Sequence, residues 1–118
     1  MLTRMEFTLG EDGKSFEISV LDLVRRYEKP YFPDTQPIDA GEFVDSLDGP
    51  SCFVPTMNAI YLRQCFSPFL KLCSILVLHE LIHSKLYKNN GDPDEKHGPR
   101  FKAEVKRLMD AGVYAKLL

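Results

Sequence analysis

The sequence predicts an α+β fold, with a small, mainly antiparallel sheet packed on a buried helix that carries candidate metal ligands. Three observations predict it. Residues 69–82 are almost wholly apolar, with Ser67-Pro68 ahead of them and Asn89-Asn90-Gly91 beyond, the chemistry of a helix start and stop. Short runs of β-branched and aromatic residues precede that segment, separated by turn residues. A second helical pattern follows it, opened by Pro99.

The chain has 118 residues, enough to bury a core of its own, and we read residues 1–118 as one domain. Apolar residues make up 44% and charged residues 27%, which argues against disorder and for an ordinary globular protein. The formal charge is −2 with both signs mixed along the chain, so no basic patch points to a nucleic-acid partner. Met1 to Glu6 lacks the apolar core of a signal peptide. The apolar run from Phe69 to Ile82 contains Lys71, His79 and Glu80, and is too short and polar to span a membrane. Cys52, Cys65 and Cys73 are odd in number and form no C-x-x-C pair. Reduced, buried and inert thiols in a cytoplasmic protein are therefore expected.

Element by element, residues 4–20 hold two weakly alternating runs, Phe7 with Leu9 and then Phe16, Ile18 and Val20. Between them Gly10-Glu11-Asp12-Gly13-Lys14 has turn chemistry, so a β-hairpin is expected. Ser19 with Asp22 three residues on is a capping-box variant. Leu21, Val24 and Tyr27 or Glu28 continue a helical face, predicting a helix over about residues 20–29. Pro30, Pro33 and Pro37 make 30–41 an irregular surface connection. Antiparallel strands are expected at Phe43-Val44, Cys52-Phe53-Val54 and Ala59-Ile60-Tyr61-Leu62-Arg63, separated by Asp48-Gly49-Pro50 and Pro55-Thr56-Met57-Asn58.

The long helix should then run from an N-cap at Ser67 to about Lys88, apolar on every side and hence buried. Asn89 to Lys96 reads as a polar loop. The helix from Pro99 should face the core with Phe101, Val105, Leu108 and Met109 and end at Gly112. Val113 to Leu118 is an apolar tail expected to pack back on the domain.

Inside the buried helix stands His79-Glu80-Leu81-Ile82-His83, the pattern H-E-x-x-H. Residues four apart on a helix lie one above the other, so both imidazoles can close on a single Zn²⁺. Glu80 is about 100° further round the helix, placed to act as general base rather than ligand. Two histidines and a glutamate on an apolar helix are costly to bury without a partner, and a metal supplies one. His97, just before the next helix, is the favoured third ligand. Glu104 is its main rival, because some zincins take a glutamate from a second helix. Asp92, Asp94 and Glu95 in the loop are weaker alternatives.

These residues resemble the SprT-like zinc metallopeptidase domain, the family that includes Spartan. The likeness is carried by His79-Glu80-Leu81-Ile82-His83, the polar loop after it, and His97-Gly98-Pro99-Arg100-Phe101. A strand like Ala59-Ile60-Tyr61-Leu62 just before the metal helix adds to it, and the matching segments run from about residue 45 to 109. The resemblance implies a zincin-like fold. It also implies zinc held by His79, His83 and His97, with Glu80 as the catalytic acid/base.

The expected function is zinc-dependent hydrolysis of peptide bonds in a protein or peptide substrate, with Glu80 as general base. Tyr61, Tyr87, Arg100 and Tyr114 are candidates for stabilising the oxyanion. The alternative is a non-proteolytic, zinc-stabilised binding module. Glu80 favours the enzyme, since a purely structural zinc has no use for it.

Overall fold

A hairpin opens the chain: β1 (Arg4–Leu9) and β2 (Lys14–Ser19) pair antiparallel, with Phe7 opposite Phe16. The computed structural model describes residues 4–9 and 14–117, so the turn expected at Gly10 to Gly13 lies outside the described residues. Ser19 then starts helix α1 (Val20–Tyr31) through a complete capping box. Its hydroxyl accepts the Asp22 N–H at 3.0 Å, and the Asp22 carboxylate accepts the Ser19 N–H at 3.4 Å. Val20, Leu23, Val24 and Tyr27 form the buried face.

Helix α1 runs two residues beyond its expected end, because Pro30 falls in the last turn. There it removes one hydrogen bond without breaking the helix, and the Phe32 N–H still reaches the Glu28 carbonyl at 2.8 Å. The proline-rich connection is tied down by a buried carboxylate. Glu28 accepts the Ile38 N–H at 2.6 Å and pairs with Arg25, whose other nitrogen donates to the Ile38 carbonyl at 2.6 Å.

Strands β3 (Ala40–Val44), β4 (Ser51–Val54) and β5 (Ala59–Arg63) form one sheet in the order β3-β5-β4. The sheet is mixed, which corrects the expectation of antiparallel neighbours: β5 runs antiparallel to β4 but parallel to β3. The reason lies in burial. Ala59, Ile60 and Leu62 are fully buried, so β5 takes the centre and leaves the weaker β3 and β4 as flanks. Since β3 and β4 run in opposite directions, β5 can be antiparallel to only one of them.

Helix α2 (Leu70–Asn90) crosses the core, packing against α1, β4, β5 and helix α3 (Pro99–Asp110). Its expected serine cap is not formed. Ser67 already has helical dihedrals, closing a 3-10 turn over Gln64–Phe66, and the cap position falls on Phe69. A residue with helical φ and ψ is inside a turn and cannot act as an N-cap. The far end follows the sequence, with Gly91 in the left-handed conformation at φ 74° and its N–H on the Tyr87 carbonyl.

Two further expectations of burial are corrected. Leu72 and Ile75 are exposed, as is Phe69 ahead of the helix, so the first turns of α2 keep an open apolar side. In α3, Phe101 and Leu108 are buried and Val105 packs against the core, but Met109 is 61% exposed. Met109 lies about 100° round from Leu108, which turns it off the contact stripe. Its place in the core goes to Val113, 1% exposed, with Tyr114 and Leu117 packed beside it, so the apolar tail does fold back. The cysteines differ from one another. Cys73 is buried and donates to the Phe66 carbonyl, with burial pushing its thiol up to about 12, whereas Cys65 is exposed and Cys52 half-buried.

Candidate metal centre

The imidazoles of His79, His83 and His97 converge at the junction of α2 with the loop before α3, as a group that can hold one metal ion. The Nε2 atoms of His83 and His97 each stand 3.1 Å from Nε2 of His79. Donors bound to one tetrahedral zinc at about 2.0–2.1 Å lie roughly 3.3 Å apart, so this spacing fits a shared ion. His79 cannot satisfy two such neighbours by ordinary N–H···N bonds at once, since its Nε2 has either one hydrogen or one lone pair. The donor set fits the metal.

Each imidazole is aimed by a separate device. His79 and His83 are one helical turn apart on α2. His83 Nδ1 lies 2.6 Å from the Pro93 carbonyl, which accepts its hydrogen and leaves the Nε2 lone pair facing the cluster. His97 reaches the cluster from a strained turn, with φ of 56° at His97 and 58° at Asp94. Asp94 holds that turn: its carboxylate accepts the Gly98 N–H at 3.0 Å and the Phe101 N–H at 3.3 Å, capping α3 where Gly98 has no side chain. Phe101 lies against all three imidazoles, with ring centroids 4.6–4.9 Å away.

Burial sets the charge. Burial, with the neighbouring His83 and His97, lowers the pKa of His79 to about 4, so its imidazole is neutral and ready to ligate at pH 7. Glu80 is 4% exposed and points to β4, where the Ser51 hydroxyl donates to it at 2.6 Å. Burial raises its pKa to about 7, opposed by the Ser51 hydrogen bond, with the Glu95 charge adding to the rise and the Phe53 backbone N–H opposing it. A carboxylate poised near neutrality, one residue along α2 from His79, is suited to accept and return a proton.

Three of the rival ligands are engaged elsewhere. Glu104 is engaged by Lys85 at 2.8 Å and Arg107 at 3.0 Å. Asp94 caps α3, and Asp92 accepts the Asp94 N–H. Among the oxyanion candidates, Tyr87 packs edge-on against Phe53, and Tyr61 turns its hydroxyl to the Met57 sulfur. Tyr114 packs on the core, and Arg100 is exposed in the first turn of α3. Sequence reasoning missed Ser51 and Pro93, because nothing local links them to the histidines: their roles arise only when β4 and the loop fold against α2.

Replacing Asp94 with alanine tests the positioning of His97. Loss of the cap should cost about 1 kcal/mol of stability, and the loosened His97 should weaken metal binding roughly tenfold. Thermal unfolding and competition with a chelator measure the two effects separately.

No family model matches the chain, and no curated protein or solved structure is significantly similar to it. No helix among the described residues is long and apolar enough to cross a membrane.

Proposed function

We propose that the chain is a zinc-dependent peptidase of the SprT-like kind, with His79, His83 and His97 as metal ligands and Glu80 as general base. One observation carries the reading: a buried carboxylate, raised to about 7, stands next to His79 and is held by Ser51 toward β4. A structural metal site needs no such group. A zinc ion held by the three imidazoles would supply Lewis acidity and an acidified water. Glu80 takes a proton from the attacking water at its carboxylate and passes one to the leaving amine. Ser51 keeps that carboxylate oriented and its proton affinity near neutrality.

In this reading an extended substrate would dock along the sheet edge. Among the described residues β4 is an edge strand, with one row of its backbone N–H and C=O groups facing no other strand. An extended peptide that pairs with this edge lies beside Glu80.

The test is cleavage of an unfolded protein by the zinc-loaded chain, read by mass spectrometry of the fragments. Metal-dependent new termini are expected, and intact peptide bonds would overturn the peptidase reading. A Ser51→Ala variant adds a pH signature. Without the Ser51 bond the Glu80 pKa rises further, so the acid limb of kcat/KM should move to higher pH.

A further inference from the structure

We propose that Glu95 is a fourth, exchangeable protein ligand of the metal centre, closing its open side until substrate or another anion displaces it. The inference rests on the metal-binding part of the reading above and not on peptidase activity. Three observations bear on it. The carboxylate Oε2 of Glu95 stands 4.0 Å from His83 Nε2, outside the group formed by the three imidazole donors, and reaches the roughly 3.3 Å spacing of two donors on one tetrahedral zinc by turning inward. It lies within electrostatic range of Glu80 on α2 and of Cys52 on β4. Among the described residues it has no lysine or arginine partner.

The loop that carries it is anchored on both sides. The Pro93 carbonyl is held by His83, Asp94 is bound to Gly98 and Phe101, and His97 lies in the cluster. The backbone therefore delivers Glu95 to the site, while its side chain, 67% exposed, keeps the rotational freedom to move in and out. Three neutral imidazoles leave both charges of a divalent ion uncompensated, and a carboxylate is the oxygen donor that offsets one of them. Exposure makes the bond exchangeable; anchoring makes it recurrent.

The test compares wild type with Glu95→Gln and Glu95→Asp, using zinc affinity by chelator competition and azide binding to the cobalt-substituted protein. Ligation predicts that Glu95→Gln weakens zinc binding about tenfold and tightens azide binding by a similar factor. Glu95→Asp keeps the charge but shortens the reach, so it should behave like Glu95→Gln. If Glu95→Asp matches wild type while Glu95→Gln differs, Glu95 acts only through its field and the proposal is overturned. Unchanged affinities in Glu95→Gln overturn it as well, leaving a solvated surface carboxylate. A wild-type chain that takes up no zinc overturns this proposal and the metal centre together. A chain that shows the expected zinc and azide behaviour yet cleaves no peptide supports the Glu95 assignment and refutes only the peptidase.

Discussion

Replacing Glu80 with glutamine should abolish hydrolysis, leave zinc bound, and stabilise the metal-free protein above neutral pH. Loss of a general base lowers turnover by roughly 10²–10⁴-fold. Glutamine still accepts the Ser51 hydrogen bond and leaves the three imidazoles in place, so the zinc content should not change. The stability effect follows from linkage. Burial raises the Glu80 pKa from 4.5 to about 7, so the folded metal-free protein holds a proton that the unfolded chain has released.

Stability from this group is full below pH 4.5 and is lost as pH rises through about 7. At about 1.36 kcal/mol per pH unit, the loss amounts to ~3 kcal/mol. Glu80→Gln avoids it. Urea denaturation of the metal-free proteins should show the variant about 3 kcal/mol more stable at pH 8, with the difference nearly gone at about pH 4. His79 works in the opposite direction, because its lowered pKa gives stability that is present above pH 6.5 and lost as pH falls toward 4. Both proteins share that dependence, so the comparison cancels it. A variant that keeps zinc and full cleavage would refute the general-base role of Glu80.

The second large effect separates His97 from Glu104. His97→Ala should lower zinc affinity by at least about 100-fold, since it removes one of three converging donors rather than a residue behind them. Glu104→Ala should keep a full zinc load. Its carboxyl is buried enough to resist ionisation, but Lys85 and Arg107 outweigh that and hold it below its ordinary value. Removing it should therefore cost about 1–2 kcal/mol of stability and leave metal binding alone. A full zinc load without His97 would contradict the assignment.

Much of the fold was legible because it rests on local chemistry. The Ser19–Asp22 capping box, the Gly91 stop and Pro99 at the start of α3 are short-range devices, and each acts where its spacing predicts. The i, i+4 pairing of His79 and His83 is likewise a property of the helix alone. Ser67 failed as a cap because Gln64–Phe66 formed a 3-10 turn that competed with it. Met109 and the first turns of α2 failed because apolar character marks what can be buried, while the neighbouring elements determine what is.

By itself, then, the sequence determined the three helices, the H-E-x-x-H pair and the candidacy of His97. Spacing and residue chemistry suffice for these. Only the tertiary structure decided the mixed sheet order, which sets Ser51 on the strand facing Glu80. Only it closed the loop that brings His97 to the pair, with Pro93 on His83 and Glu95 beside it. These are contacts between segments far apart in the chain, set by competition for the core, and no local pattern records that competition.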